Sequence, residues 1–328
     1  MSSAIDDAIA HAVDVLRAGG LVAFPTETVY GLGADASNPD AVKKIYAAKG
    51  RPRNHPLIVH LASGRQVADW ASDIPETGKR LARRFWPGPL TLIFKRAAHV
   101  NDLVTGGQDT IALRVPSHPA AHTLLAAFGG GIAAPSANRY GRVSATTAEH
   151  VRAEFGSTVD CVLDGGACPV GIESTIVDVS GARPALLRPG SITAADIEAL
   201  VGAPLAPAGP ASPRAPGTLP KHYAPQTPLM LLEPDLILEL ASSMTRQGHN
   251  VAVLARSALQ PLHSGITWIA APHDAPQYAH DLYANLRQLD RAGCAAILIE
   301  QPPLEPAWAA VHDRLTRAAA GSAAPDAT

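Results

Sequence analysis

Leu21-Val22-Ala23-Phe24 runs directly into Pro25-Thr26-Glu27-Thr28-Val29-Tyr30-Gly31. Four apolar residues make a short strand, and the proline that follows ends it. Two hydroxyls and a carboxylate then lie on an irregular segment just past a strand end. Ligand sites of α/β sheets favour that position. Taken alone, the segment reads equally well as an ordinary β-turn.

Upstream, Ile5, Ile9, Val13 and Leu16 recur at helical spacing, and Gly19-Gly20 stops the helix. Downstream, a helix begins near Asn38, with Pro39 in the first turn, where its missing N–H costs nothing. It carries Lys43, Lys44 and Lys49 before Gly50. Strand-like runs follow at 57–61, 90–94, 111–115, 159–163, 175–179 and 185–187, with helical stretches at 78–85, 119–128 and 147–155. Helices interleaved with strands predict an α/β sheet. Adjacent strands with no helix between them argue against a purely parallel one.

The composition breaks at 202–228, where alternating Pro, Ala and Gly cannot build a core and proline stiffens the chain. The pattern then restarts with strands at 229–232, 251–255, 266–269 and 295–299 and helices at 235–247 and 276–292. A final helix follows Pro306. This predicts a first domain over 1–201, a linker over 202–228 and a smaller, Rossmann-like α/β domain over 229–320. The tail from Ala318 is expected to fray.

A length of 328 residues agrees with two domains. Lys and Arg total 27 against 29 Asp and Glu, for a net charge of -2. A near-neutral chain does not coat nucleic acid in bulk, so any polyanion site is a local concentration of cations. No run approaches the roughly 18 apolar residues of a membrane span. The first residues lack the basic and apolar pattern of a secretory signal. Cys161, Cys168 and Cys294 form no CxxC and cannot all pair. Free thiols in a reducing, cytoplasmic setting are expected.

Gly31-Leu32-Gly33-Ala34-Asp35-Ala36 matches a loose GxGxxA fingerprint. The next helix opens several residues late, and the region beyond is basic, so a dinucleotide site is not supported. No Walker loop, GxSxG elbow or HExxH occurs. Lys49-Gly50-Arg51-Pro52-Arg53-Asn54-His55-Pro56 is more informative. Three cations stand beside rigid prolines with no acid among them, suited to phosphate oxygens. A solvated basic turn is the plain alternative.

The stretch 129–138 repeats the strand-end logic and closes with Pro135-Ser136-Ala137-Asn138. In extended chain, Ser136 and Asn138 would point the same way. Gly171-Ile172-Glu173-Ser174-Thr175 and Arg188-Pro189-Gly190 add further polar groups and a cation at strand ends. Hydroxyls, amides and cations gathered this way suit an anionic, hydrogen-bonding ligand such as a nucleotide.

These segments together resemble the YrdC-like family: FPTETVYGLG (24–33), KGRPRNHPLIVH (49–60), WPGPLT (86–91), TIALRVP (110–116), APSAN (134–138), ESTIVD (173–178) and LRPG (187–190). PGTLPKHYAP (216–225) and LYANLRQLDRAG (282–293) resemble its longer, two-domain members. The resemblance implies a twisted, mixed open sheet with a concave, positively charged cavity. It implies a nucleotidyltransferase that makes threonylcarbamoyl-adenylate and pyrophosphate from L-threonine, bicarbonate and ATP, for threonylcarbamoyladenosine on tRNA.

The same resemblance puts threonine near Thr28, His60, Arg114, Ala134 and Ser174. It puts ATP near Arg51, His55, Thr110, Ser136, Ser144 and Arg188, with Lys49 and Asn138 also in the cavity. Lys49 and Arg51 are the expected catalytic cations. His55 stands where members often have Asn. In the linker, Tyr223 and Gln226 are candidates for touching the nucleotide, Gln226 standing where Asn is expected.

Mg²⁺ is expected to arrive with ATP, and no protein-bound metal is predicted. The linker and second domain are expected to act as a lid over the adenylate. Transient contact with tRNA or a downstream transferase is a further expectation. Two rival readings remain: an RNA-binding protein using the basic face without chemistry, and a carbamoyl-adenylate-forming enzyme fed by carbamoyl phosphate.

Overall fold

The computed structural model describes residues 2–261 and 263–322. Backbone contacts divide the chain into two compact units: Met1–Tyr140 with Ser144–Thr218, and Gly141–Val143 with Leu219–Thr328.

In the first unit, helices α1 to α7 are Ser2–Arg17, Pro39–Lys49, Glu76–Phe85, Asp102–Thr105, Pro119–Phe128, Ala148–Phe155 and Ala194–Val201. Strands β1 to β11 are Val22–Phe24, Gly31–Asp35, Ile58–His60, Ala71–Asp73, Leu90–Arg96, Thr110–Arg114, Ile132–Ala133, Cys161–Val162, Thr175–Asp178, Ala185–Arg188 and Ala206–Pro207. They form one sheet in the order β11-β10-β9-β5-β6-β3-β7-β2-β1-β8, with β4 paired to β5. The sheet is mixed: β3 runs parallel to β6 and β5 to β9, whereas β5 is antiparallel to β6 and β1 to β2.

Local chemistry explains the elements. Ile9, Val13 and Leu16 of α1 bury their shared stripe against Ala121, Leu124 and Leu125 of α5. Asn38 caps α2, its side chain accepting from the N–H groups of Asp40 and Ala41, a contact worth about 1 kcal/mol. The GxGxxA run is strand β2 and not a phosphate turn. A Cβ on Gly33 would lie 2.7 Å from the Phe24 ring and 2.8 Å from Ile132, so glycine here permits close strand packing.

Five elements were not legible in the sequence: β2, β4, α4, α7 and β11. α7 is short and opens on a Thr193/Asp196 capping box, with Gly202 ending it at φ 81°. β11 lies inside the proline-rich run and pairs in parallel with β10. Ala215, further along that run, is buried with Ile58, Ile93 and Ala112. Residues 202–218 are therefore built into the first unit, and 219–228 belong to the second.

The second unit holds strands β12 to β15 (Leu229–Leu232, Val251–Ala255, Ile266–Ala270 and Ala296–Glu300) and helices α8 to α10 (Pro234–Arg246, Ala275–Asp290 and Ala309–Ser322). All its strand pairs are parallel, in the order β12-β15-β13-β14. Val251, Val253, Ala296 and Leu298 pack against α8 through Ile237 and Ala241. Glu300, at the end of β15, accepts from the N–H groups of Arg256, Ser257 and Ala258 and from the Ser257 hydroxyl, at 2.6–3.1 Å. Burial pushes its carboxyl upward, but these donors outweigh that and hold it below the usual range.

The expected fraying from Ala318 is corrected over 318–322, and residues 323–328 lie outside the described residues. α10 continues to Ser322, Ala318 is fully buried, and the Ser322 hydroxyl accepts from Leu229 N–H at 2.9 Å. Among the described residues, no helix is long and apolar enough to cross a membrane.

Candidate active site

The segment after β1 is a polar knot. The Thr26 hydroxyl accepts from the N–H groups of Thr28 and Val29, donates to the Val29 carbonyl at 2.7 Å, and meets the Thr28 hydroxyl at 2.8 Å. Arg114 ends β6 directly opposite His60, which ends the parallel strand β3. Its guanidinium donates from Nη1 to Thr28 Oγ1 at 2.8 Å and from Nε to the Gly88 carbonyl at 3.2 Å.

Nη2 of Arg114 lies 2.9 Å from Glu27 Oε2, both side chains almost wholly buried. The two atoms form a charge contact without hydrogen-bond alignment. Burial drives the Glu27 carboxyl upward, but the Arg114 charge and nearby backbone N–H groups outweigh it, leaving Glu27 below its ordinary value and ionised. His60 is pushed down to about 3 by burial first and the Arg114 charge second. It is therefore a neutral imidazole at physiological pH. Its Nδ1 is buried with no hydrogen-bond partner among the described residues.

A second group gathers around the end of α2. Gly50 takes the left-handed conformation at φ 64° and turns the chain out of the helix. Lys49 is buried, its Nζ donating to the Ser136 carbonyl at 2.6 Å and to the Asn138 carbonyl. Burial, then the neighbouring Arg51 charge, holds the Lys49 ammonium well below its usual value. Arg51 donates from Nη2 to the Pro56 carbonyl at 2.9 Å and lies over the Tyr140 ring. His55 meets the Tyr140 hydroxyl through Nδ1 at 3.3 Å, and burial with Arg51 and Arg214 lowers its pKa.

Ser136 and Asn138 do not share an extended strand, contrary to expectation. The Asn138 N–H turns back on the Ser136 carbonyl at 3.0 Å, and Asn138 is buried while Ser136 is half-buried. The tight turn is what aims both carbonyls at Lys49. Ala134 donates its N–H to Ile58 O at 2.9 Å beside β3. Thr110, half-buried, opens β6, and the Ser144 hydroxyl donates to Glu173 Oε1 at 2.6 Å.

Arg188, at the end of β10, donates from Nε and Nη2 to the Ser174 carbonyl at 3.1 and 2.9 Å, and from Nη2 to Ser174 Oγ at 3.1 Å. Ser174 Oγ meets Thr91 Oγ1 at 2.8 Å. Arg114 and Arg188 are thus joined through 88–91 and Ser174, because the bend at Gly88 leads directly into β5, whose second residue is Thr91. The third donor of Arg188, Nη1, reaches the Pro216 carbonyl of the proline-rich run at 3.0 Å. Arg214 fastens the same run, donating to the carbonyls of Asn54 and Gly106 at 3.3 and 2.9 Å.

Tyr223 and Gln226 lie in the second unit. The Tyr223 ring is 1% exposed, packed against His222, stacked on Tyr283 and covered by Arg314, with φ 58°. Gln226 is exposed, and its backbone N–H donates to Asp290 Oδ2 at 2.9 Å. Sequence reasoning passed over Glu27, Thr91, Tyr140, Glu173 and Arg214. Glu27, Thr91 and Glu173 lay inside recognised motifs. Arg214 carried one signal, a cation beside Pro213 in a run otherwise short of charge.

Comparison with known proteins gives two family matches. Residues 14–190 match the Sua5/YciO/YrdC family, described as telomere recombination. Residues 192–320 match the family described as threonylcarbamoyl-AMP synthase, C-terminal domain. A threonylcarbamoyl-AMP synthase of Pyrococcus abyssi (strain GE5 / Orsay) is 39% identical, covering 94% of this chain and 92% of that protein. One of Bacillus subtilis (strain 168) is 41% identical, covering 96% and 94%. The crystal structure of P. abyssi Sua5 complexed with L-threonine superposes with a TM-score of 0.88 at 38% identity, covering 96% of this chain and 94% of that one.

Proposed function

This chain belongs to the two-domain threonylcarbamoyl-AMP synthase family, and from that premise we propose how the polar constellation of its first unit carries the reaction. The amine of L-threonine and bicarbonate combine, with loss of water, to N-carboxy-threonine. Its carboxylate oxygen attacks the α-phosphorus of ATP. The bond to the β-phosphate bridging oxygen breaks, giving threonylcarbamoyl-AMP and pyrophosphate.

Such chemistry needs positioning, charge neutralisation and exclusion of water more than covalent help. Threonine is read by Arg114 at its carboxylate, with Thr28, His60, Ser174 and the Ala134 backbone around it. A neutral His60 suits this task, since it offers a ring nitrogen without adding charge beside Arg114. MgATP, entering as a substrate complex, takes its phosphates to Lys49, Arg51 and Arg188. His55, Thr110, Ser136, Asn138 and Ser144 complete its site.

The observation that carries this reading is the hydrogen-bonded link from Arg114 through 88–91 and Ser174 to Arg188. It fixes a carboxylate-binding cation and a phosphate-binding cation on one scaffold. The product feeds threonylcarbamoyladenosine formation on tRNA, through a downstream transferase.

The test is pyrophosphate release from MgATP with threonine and bicarbonate omitted in turn. Release that needs both supports the reading. Release independent of threonine, or driven by carbamoyl phosphate alone, would overturn it.

A further inference from the structure

On the first unit, α3 and the turn at 62–67 enclose a separate hollow of about 580 Å³. That lies within the roughly 300–1,000 Å³ common for small-molecule sites. Its floor is apolar, formed by Val67, Ile74, Trp86 and Phe94, with Ala82 at the side. Its rim carries Arg65, Lys79 and Arg83 together with His122, and none of the residues lining it is acidic.

A counter-charge stands at Glu76, on the first turn of α3. It lies 3.7 Å from Lys79 and 3.5 Å from Arg83, in solvent-exposed pairs that contribute little. Arg65 is exposed and makes no ion pair or hydrogen bond among the described residues. An apolar floor under a cationic rim is complementary to one ligand chemistry: a hydrophobic body with a single anionic head. The body leaves water against Trp86 and Phe94, and the head meets guanidinium donors while staying partly hydrated.

The hollow also touches the backbone that aims Arg114. The Trp86 indole N–H is fixed on the Leu90 carbonyl at 2.6 Å, so its ring is a stationary wall. Trp86 and Pro87 lead into Gly88, whose carbonyl accepts from Arg114 and whose N–H donates to Val115 O at 2.8 Å. Val115 itself lines the hollow. A ligand pressed on Trp86, Pro87 and Val115 therefore bears on both partners of the contact that orients the guanidinium.

We infer that this hollow binds a small amphipathic anion, an aryl or branched apolar body with one carboxylate or sulfonate, and that its occupancy is felt at Arg114. The binding stands apart from the proposed reaction, whereas the effect on threonine rests on it.

The probe is 8-anilinonaphthalene-1-sulfonate, titrated by fluorescence into the full chain, with N-phenyl-1-naphthylamine as its neutral counterpart. One saturable site is expected, with the neutral compound at least about tenfold weaker. R65E/R83E should weaken the sulfonate by a similar factor, and Ala82→Phe should remove binding by filling the hollow. Gly64→Phe, at the exposed mouth, gives a second filling variant that leaves the core untouched. Saturating probe should shift the half-saturating threonine concentration in pyrophosphate release by about threefold or more. Equal affinity in these variants, or equal affinity for the neutral compound, would overturn the site. An unmoved threonine response at saturation would overturn the link to Arg114.

Discussion

The two units bury different things. Around the ends of β3 and β6, the first unit encloses Glu27, Thr28, His60 and Arg114, and nearby Lys49, Asn138, Ser174 and Arg188. The second encloses Val, Leu, Ile and Ala along four parallel strands, with His222, Glu300, Arg314 and Ser322 as its buried polar side chains. Glu300 takes four donors and ties the loop after β13 to the end of β15. In the first unit, by contrast, buried basic groups crowd one another: the Arg51 charge adds to burial in holding Lys49 well below its usual pKa, and the Arg114 charge does the same to His60. A buried anion ringed by its own donors is architecture. Basic groups buried side by side suit an anionic ligand.

The strongest way to break this contrast is Arg114→Leu. Losing the partner of a buried ion pair costs about 3–5 kcal/mol by leaving the other charge uncompensated. Glu27 should rise in pKa, and threonine-dependent pyrophosphate release should fall about a hundredfold or more, because the proposed partner of the threonine carboxylate is gone. Turnover within tenfold of the parent, with circular dichroism unchanged, would show that the contrast has no bearing on function.

Lys49→Met comes next and separates cost from use. Its folded pKa is depressed, so between the folded and unfolded values the native state holds fewer protons than the unfolded chain. The charge therefore works against folding there. Removing it should raise the melting temperature of the nucleotide-free protein while turnover falls about a hundredfold. A variant that melts lower, with turnover intact, would make Lys49 structural.

Glu300→Gln probes the other unit. Replacing the carboxylate strands part of its donor set, at a cost of about 2 kcal/mol in urea unfolding. Pyrophosphate release should stay unchanged wherever the protein remains folded. Lost turnover in a fully folded variant would bring the second unit into the chemistry.

The last effect lies in the acid limb of stability. His60 has its folded pKa lowered to about 3 from 6.5. The stability it confers is complete above 6.5 and is lost as pH falls toward 3, because only the unfolded chain takes up the proton in that window. His60→Gln should flatten the drop in urea midpoint between pH 7 and pH 4.5. An unchanged slope would mean that the imidazole is not held neutral.

Most of the sheet was legible, because runs such as 90–94 and 111–115 are continuous apolar strands between helices with clear ends. β2 was hidden because Gly31 and Gly33 read as loop residues, and only the Phe24 and Ile132 side chains pressed on Gly33 explain them. β11 was hidden because Ala206–Pro207 carries no β-forming residue and pairs through backbone alone. The candidate site was legible at its cations and hydroxyls, which sit in motifs. Glu27 as the partner of Arg114 was not, since 87 positions separate them and only the fold brings them together.

Residues 202–218 look from composition like a tether that any protease could cut. Yet Arg214, a trypsin target by residue type, has its guanidinium on Asn54 and Gly106, and the peptide beyond it is fastened by Arg188 at Pro216. A protease needs some residues of extended, unfastened chain on either side of the bond. Trypsin should therefore leave the bond after Arg214 uncut in the resting protein. The rate of that single cleavage then becomes a clock for how often the strap lets go.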